Sequence, residues 1–252
     1  MNRTPPVEVR RELRREVEFG CPADECGNPY LEWHHFDPPW SVREHHDPAG
    51  MVALCGEHHK KADAGAYTPE QLRAFKNNRA ALVGGRFDWM RNSLLVVVGG
   101  NFYFETPIAV QFRQQPVVWL NRDDEGYLLL NLNMLTTARE PRAAMQDNFW
   151  LASGAPADLD CPPSGKRLKV SYDNGDRLGI EFLALDGANE VDIRYPGVQA
   201  MGWGLSFPIT AVEVQMKVGG TDVEFGPRST KLGGLQMTNC FMSHCGTGVV
   251  FG

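Results

Sequence analysis

Residues 21–63 read CPADECGNPYLEWHHFDPPWSVREHHDPAGMVALCGEHHKKAD and govern how the N-terminal part of this chain folds. Cys21 and Cys26 form a C-x4-C pair, and Cys55 and His58 form a C-x2-H pair about thirty residues later. Four thiolate and imidazole ligands with such spacing are typical of a structural zinc site with a tetrahedral shell. Prolines, glycines and histidines break every regular period between the pairs, so we predict loops and a hairpin held by zinc.

A second group of metal-binding residue types lies inside this frame and just after it. His34 and His35 are adjacent in LEWHHFDP, and His59 is followed one helical turn later by Asp63. Adjacent side chains on a strand point to opposite faces, so one of the two histidines could share a metal ion with His59 and Asp63. The remaining histidine could accept a proton from water, because an unperturbed imidazole has a pKa of about 6.5.

These motifs resemble those of the HNH endonucleases, which have a ββα-metal fold and a treble-clef zinc site. The resemblance covers roughly residues 15–80. It implies that His34, His59 and Asp63 bind a catalytic Mg²⁺ or Mn²⁺ ion and that His35 is the general base. The catalytic histidines would then be His35, His34 and His59, the cofactors Zn²⁺ and Mg²⁺ or Mn²⁺, and the substrate DNA, with products that carry 5′ phosphates.

Two positions depart from that family's pattern. Gly50 stands five residues before Cys55, where an asparagine often helps to hold the general base. Asp47 or a backbone carbonyl could replace the asparagine. Asp63 stands where another histidine is common, and a carboxylate ligand suits magnesium. Because of Gly50, a zinc-containing module that binds nucleic acid or protein without catalysis remains the alternative function.

A helix is predicted from Pro6 to about Phe19, with Val9, Leu13 and Val17 on one face.

The basic and aromatic side chains around the metal-binding motif each allow two interpretations. Phosphate contact and a solvated charged face are equally good interpretations for Arg10, Arg11, Arg14, Arg15, Lys60 and Lys61. His45 and His46 fit an exposed loop better than a functional role, and Trp33 and Trp40 fit packing better than base stacking.

A capped helix is predicted to follow the metal-binding segment. Thr68 suits the N-cap, Pro69 the first helical position and Gln71 the capping box. The helix should end near Val83, and the pair Gly84-Gly85 is the candidate domain boundary. The HNH domain would therefore span residues 1–85.

Residues 92–252 are rich in short β-type runs separated by turn pairs such as Asn174-Gly175. Their spacing suits a β-sandwich or a β-solenoid equally, and the final segment LQMTNCFMSHCGTGVVFG inclines slightly to the solenoid. We therefore expect an α+β chain, with a small zinc-containing ββα-metal domain followed by a larger all-β domain at 92–252.

Composition limits the partners and the compartment. The formal net charge of −6 argues against a broadly basic surface that coats nucleic acid. No apolar run approaches the roughly 18 residues of a membrane span, so we expect a cytoplasmic protein with no membrane partner. The β domain contains no phosphate-binding glycine loop and no nucleophile motif. We interpret it as a regulatory domain for an activating ligand, guide or protein partner, or for homo-oligomerisation. The resemblance suggests a role in restriction or antiphage defence.

Overall fold

A computed structural model of the chain describes residues 2–78 and 84–252. Within them the protein is mixed α+β and consists mostly of β-sheet, so the predicted class is confirmed. The chain divides into two compact units. The first unit contains Met1–Gly85 and Asp158–Gly165, and the second contains Arg86–Ala157 and Lys166–Gly252.

The N-terminal elements include three helices and one hairpin. Leu13 and Val17, on the predicted apolar face of the first helix, are completely buried in the core of the first unit. The bounds in chain order are α1 Val7–Glu16, β1 Leu31–His35, the 3-10 helix Pro48–Gly50, β2 Met51–Cys55, α2 Gly56–Asp63, α3 Pro69–Phe75 and β3 Gly84–Arg86.

Strands β1 and β2 form an antiparallel pair in which Leu31 lies opposite Cys55 and His35 opposite Met51. Every residue of β2 is buried, as expected for an apolar run that packs between α1 and the helices that follow. Helix α2 begins directly after β2, with Cys55 as its N-cap residue. The hairpin and α2 therefore position both groups of metal-binding residue types.

Helix α3 begins as its sequence predicts. The Thr68 side chain accepts from the Gln71 N–H, and the Gln71 side chain accepts from the Thr68 N–H, which completes a capping box. The helix ends at Phe75. The predicted end near Val83 lies outside the described residues.

The segment Asp158–Gly165 comes from the middle of the predicted β domain but belongs to the first unit. Its aspartates accept hydrogen bonds from α1: Arg14 contacts Asp158 at 2.9 Å and Asp160 at 3.3 Å, and Arg11 contacts Asp158 at 3.0 Å. The Arg14 side chain is buried in this contact. A buried, paired guanidinium cannot bind a phosphate backbone, so the phosphate interpretation of Arg14 is wrong.

The rest of the chain is almost entirely β. Its bounds in chain order are β4 Leu94–Val98, β5 Asn101–Phe104, β6 Ile108–Phe112, β7 Gln115–Arg122, β8 Leu128–Asn133, β9 Ala144–Gln146, β10 Phe149–Leu151, β11 Asp158–Asp160, β12 Arg167–Ser171, β13 Arg177–Leu185, α4 Ala188–Arg194, the 3-10 helix Ala200–Trp203, β14 Ile209–Lys217, β15 Val223–Phe225, β16 Thr230–Leu232, β17 Leu235–Met237, β18 Phe241–Ser243 and β19 Thr247–Phe251.

The second unit contains two sheets. One has the order β19-β6-β7-β8-β9-β10; the other runs β12-β13-β14-β15-β16-β17, with β4, β5 and β18 continuing from β14. Most neighbours are antiparallel, whereas β4 with β14, β5 with β18 and β6 with β19 are parallel. Successive rungs of a β-solenoid are parallel, so the solenoid expected from the last segment is not the fold of this unit.

Candidate metal centres and the adjoining cleft

Cys21, Cys26, Cys55 and His58 come together in the first unit, and we call them the Cys3His cluster. Two are in the loop after α1, and the other two are at the start of α2. The Sγ atoms of Cys26 and Cys55 are 3.8 Å apart, and His58 Nδ1 lies 3.5 Å from Cys21 Sγ and 3.2 Å from Cys55 Sγ. Two sulfur atoms bound to one tetrahedral zinc at about 2.3 Å lie about 3.8 Å apart. The cluster could hold a metal such as zinc.

Burial makes the thiols of this cluster difficult to ionise alone. Burial, with a smaller contribution from the neighbouring cysteines, raises the pKa of Cys21 to about 12 and also raises the pKa of Cys26. A divalent cation supplies the charge that thiolates at such depth need. The chemistry of the donor set therefore fits zinc.

A second group contains His34, the next-to-last residue of β1, and His59 and Asp63, both on α2. We call it the histidine–aspartate group. One ligand atom from each residue lies within 4.8 Å of the others. His34 Nδ1 is 3.3 Å from Asp63 Oδ1, yet it is buried and makes no hydrogen bond within the described part of the chain. A short separation of two ligand atoms without a hydrogen bond fits two ligands of one cation.

Glu32 orients one member of this group, and sequence reasoning did not single it out. His59 Nδ1 lies 2.8 Å from Glu32 Oε2, whereas His59 Nε2 is buried and has no hydrogen-bond partner among the residues described. A carboxylate that accepts from one ring nitrogen leaves the other unprotonated and available to a metal. The available signal was spacing, because Glu32 and His34 are two residues apart on β1 and share a face.

His34 is in the protonation state that binds metals. Its burial lowers the pKa below the ordinary histidine value, and charge on His59 lowers it further, which together outweigh the effect of Asp63. The imidazole is consequently neutral at neutral pH, and a neutral ring nitrogen is a metal ligand.

His35 presents its other nitrogen as a proton acceptor. Its Nε2 lies 3.0 Å from the carbonyl oxygen of His45. Since a carbonyl only accepts, Nε2 carries the hydrogen and Nδ1 is unprotonated. Nδ1 is buried and makes no hydrogen bond to any described residue. Burial, together with electrostatic interaction with the His45 and His46 rings, lowers the pKa of His35 to about 4, so the ring is neutral at pH 7.

The His45 side chain fixes the carbonyl that contacts His35. His45 Nε2 donates to the Pro38 carbonyl at 2.8 Å, and the Asp47 N–H donates to His45 Nδ1 at 3.2 Å. The side chain is buried, so the expectation of an exposed loop histidine is wrong for His45. A polar side chain with a backbone partner on each ring nitrogen holds its loop in one conformation.

Position 50 has no room for a side chain. A Cβ there would lie 1.9 Å from the Asp37 carbonyl oxygen and 3.0 Å from His45 Cε1. Of the two substitutes proposed for the missing asparagine, the backbone carbonyl is the one that contacts His35. The Asp47 side chain instead accepts from the Ala49 N–H at the start of the 3-10 helix.

Both adjacent histidines line one cleft of about 380 Å³, which we call the histidine cleft. His35 is the last residue of β1, and the backbone turns there. The cleft is lined by His34, His35, Asp63, Tyr67, Arg3, Trp40 and further residues of the loops around them. Trp40 packs edge-on against His35 at 4.7 Å between ring centroids, in keeping with its predicted packing role.

The basic side chain that lines the cleft is Arg3, which sequence reasoning did not single out. Lys61, a candidate phosphate contact, pairs with Glu57 at 2.6 Å on the surface of α2. Arg11 and Arg14 are occupied by Asp158. The basic residue of the cleft lining therefore comes from the N-terminal segment before α1.

No family model, curated protein or solved structure matches this chain. Among residues 2–78 and 84–252, no helix is long and apolar enough to cross a membrane.

Proposed function

We propose that the first unit is an HNH-type endonuclease that hydrolyses phosphodiester bonds in DNA with a divalent metal ion. One observation carries this proposal. The unprotonated Nδ1 of His35 belongs to a side chain that lines the same cleft as His34 and Asp63. A proton acceptor beside a cation site is the arrangement that activates water for attack on phosphate.

The order of elements supports the family. Hairpin β1-β2 leads directly into α2, which resembles the ββα-metal motif, and the Cys3His cluster ties the end of β2 and the start of α2 to the preceding loop. The hairpin and helix together have a small core, so a bound zinc would supply much of the stability that fixes the site. The resemblance and the donor geometry thus agree in residues 21–63.

Catalysis would use the side chains in distinct roles. His34, His59 and Asp63 would hold Mg²⁺ or Mn²⁺, which when bound supplies positive charge to the phosphate oxygens. His35 Nδ1 would take a proton from water, whose oxygen attacks phosphorus while the bond to the 3′ oxygen breaks and that oxygen takes a proton from solvent. The His45 carbonyl would stabilise the imidazolium, and Arg3 would pair with a phosphate of the substrate.

Plasmid cleavage tests the proposal. Supercoiled plasmid is incubated with the full chain and with His35→Ala, each with Mg²⁺, with Mn²⁺ or with chelator. His244→Ala is the matched control, because this histidine belongs to the second unit. We expect metal-dependent nicking by the wild type and the control, and a loss of about 100-fold or more in His35→Ala. Equal cleavage by His35→Ala and the wild type would refute the assigned base.

A binding module without catalysis is the second candidate. The observation in its favour is the pKa of about 4 at His35, since a base that weak drives proton transfer poorly near neutral pH. A gel-shift assay for DNA binding and a cleavage assay on the same samples distinguish the two candidates. Retention of DNA with no cleavage under any metal would support the module.

The second unit would then regulate the nuclease or recognise its target. A small nuclease domain beside a larger β domain resembles the effectors of restriction and antiphage systems, and we extend the proposal to such a role in the cytoplasm. Plasmid cleavage by the purified chain alone is compared with cleavage after addition of extract from phage-infected or uninfected cells. Activation by infected extract alone would support an effector that needs a trigger.

A further inference from the structure

A second cleft, of about 340 Å³, lies entirely within the second unit, and we call it the arginine cleft. It is formed by the end of α4, the strand β14, the turn before β5 and two loops near the C-terminus. Its lining includes Arg194, Tyr195, Glu213, Gln215, Arg228 and Asn239. None of these residues belongs to the metal centres, so the cleft is separate from the proposed nuclease chemistry.

The loop that carries Arg228 is held in place by its backbone. Thr238 Oγ1 donates to the Arg228 carbonyl at 2.7 Å, and the Gly226 N–H donates to the Ser229 carbonyl at 2.9 Å. Gly100 packs so closely that a Cβ on it would lie 2.3 Å from the Arg228 carbonyl carbon, and its φ of +69° suits glycine. Arg228 is therefore displayed from a fixed turn, which reduces the entropy lost when a ligand binds.

The Arg228 guanidinium has no carboxylate within 4 Å and no hydrogen bond among the residues that the structure describes, and its residue is exposed. Two other arginines of this unit are paired with carboxylates: Arg122 with Glu105 at 2.9 Å, and Arg142 with Asp176 at 3.2 Å. An unpaired guanidinium at a concave surface suits the planar oxygen pairs of phosphate and carboxylate groups.

The second arginine of the cleft is held by a buried carboxylate. Arg194 donates to both oxygens of Glu213 at 2.8 and 2.9 Å, and the Tyr195 hydroxyl donates to the same carboxylate at 2.7 Å. Glu213 thus has its lone pairs largely occupied, so it repels an incoming anion less than a free carboxylate would. Arg194 also lies 3.8 Å from the Glu181 carboxylate, so carboxylates balance its charge. Arg228 is therefore the arginine of the cleft lining that has no carboxylate partner among the described residues.

Two amides complete the polar lining. The Gln215 and Asn239 side chains line the cleft and make no hydrogen bond within residues 2–78 and 84–252. Each amide offers both donors and an acceptor to hydroxyl or carbonyl groups. Phe102 and Tyr195 supply an aromatic wall. Clefts of this size, with apolar walls and few polar groups, are typical of small-molecule sites.

We propose that the arginine cleft binds a small organic molecule with one phosphate or carboxylate group, which pairs with Arg228, and with a polar body that Gln215 and Asn239 contact. A nucleic acid backbone fits the cleft less well, because affinity for a polyanion comes from many phosphate contacts and the cleft has one unpaired cation. The site goes beyond the proposed nuclease activity and does not depend on it.

Calorimetric titration of the full chain, without added divalent metal, tests the site with four probes: inorganic phosphate, ribose 5-phosphate, glucuronate and a short oligonucleotide. Arg228→Gln is the test variant, since its side chain supports no other contact. Arg177→Gln is the matched control, because Arg177 is an exposed arginine of the same unit outside the cleft. Backbone and side-chain amide NMR spectra of each variant verify the fold and locate the shifts.

We expect ribose 5-phosphate or glucuronate to bind the wild type and Arg177→Gln equally, with NMR shifts at the Gln215 and Asn239 amides. Affinity in Arg228→Gln should fall about tenfold or more. A preference for ribose 5-phosphate would identify phosphate as the bound group, and a preference for glucuronate would identify carboxylate. Unchanged affinity in Arg228→Gln, binding of the oligonucleotide alone, or no binding of any probe would each overturn the proposal.

Discussion

His35 Nε2 lies 3.0 Å from the carbonyl oxygen of His45, and this contact determines which nitrogen of His35 is free to accept a proton. The His45 ring in turn is bound on both sides by backbone groups of Pro38 and Asp47. The ordered loop therefore supplies, through the His45 carbonyl, the hydrogen-bond partner for His35 that Gly50 has no side chain to supply.

Replacement of His45 should weaken the proposed DNA cleavage without removing His35, the proposed base. In His45→Ala the loop loses both ring contacts, so the carbonyl no longer holds His35 in one tautomer. We expect the cleavage rate to fall by about tenfold or more, an increase of roughly 1.4 kcal/mol in the barrier. Nitrogen NMR of the His35 ring should change from a single Nε2–H tautomer to a mixture.

The variant His45→Asn provides the matched comparison. Its amide can donate to the Pro38 carbonyl and accept from the Asp47 N–H, so we expect partial recovery of both the rate and the tautomer. A normal His35 tautomer in His45→Ala would show that the side chain does not position the base.

Gly50→Ala should destabilise the first unit, because the new Cβ would overlap the Asp37 carbonyl oxygen. We expect a loss of about 2 kcal/mol or more in the free energy of unfolding, as in other overpacked sites. Urea denaturation followed by the fluorescence of the tryptophans measures it. Gly56→Ala is the control, since the nearest atom to a Cβ there would be Glu32 Oε1 at 3.4 Å, and its stability should stay near that of the wild type.

Zinc should be lost when a member of the Cys3His cluster is replaced. We expect Cys26→Ser to contain much less zinc than the wild type by elemental analysis, and the first unit to lose protection from protease, because metal binding is coupled to folding. Cys245→Ser is the control: this cysteine is exposed and outside the cluster. Full zinc content in Cys26→Ser would exclude Cys26 as a ligand.

Glu32→Gln should reduce the affinity for the metal ion proposed at the histidine–aspartate group, because the amide no longer fixes His59 with Nε2 unprotonated. The expected change is about tenfold to 100-fold, measured by the Mn²⁺ dependence of cleavage and by direct Mn²⁺ titration. Glu57→Gln, on the exposed side of α2, should leave both unchanged. If titration of Glu32→Gln gives the wild-type affinity, Glu32 does not orient a metal ligand.

The stability of the second unit should fall at acid pH through Asp176. Burial alone would raise the pKa of this carboxyl, but hydrogen bonds from Thr136, Asn174, the Gly219 N–H and Arg142 outweigh it and lower the pKa. Because the folded pKa is below the unfolded value of about 3.9, the carboxylate stabilises the fold above that pH. Its contribution is lost as the pH falls through the folded pKa.

Asp176→Asn should therefore lower the free energy of unfolding at pH 7 by about 3 kcal/mol, since Arg142, with a side chain only 8% exposed, loses its buried partner. The difference from the wild type should shrink as the pH falls below about 4. Asp173→Asn, at an exposed position, is the control. A difference that is constant between pH 7 and pH 3 would contradict the role of the Asp176 charge.

Local patterns predicted the parts of the fold that depend on neighbours in the chain. The spacing of Cys21, Cys26, Cys55 and His58 was enough to group them, because a short loop and a helical turn bring such pairs together whatever surrounds them. The capping box of Thr68 and Gln71 formed for the same reason. The grouping of His34 with His59 and Asp63 came from the resemblance, and the structure brings their ligand atoms together.

Contacts between distant segments could not be predicted in this way. Arg14 is near Asp158 in space but 144 residues from it in sequence, and nothing in α1 indicates that the partner exists. The His45 carbonyl reaches His35 because the loop folds back, and a loop without a period predicts no such path. The pairing of β4 with β14 likewise depends on which apolar edges meet, whereas alternation in one strand specifies only its faces.

The amino-acid sequence alone was thus sufficient for the α+β class, the Cys3His ligand set and the capped start of α3, because short-range geometry and ligand chemistry act within a few residues. The tertiary structure assigned Arg14 to a buried ion pair, His45 to the support of His35, Glu32 to His59 and Arg228 to an unpaired position in a cleft. Each of these assignments depends on charge, burial or backbone groups that a distant or irregular segment brings near. The resulting interaction energies exist only once the chain has folded.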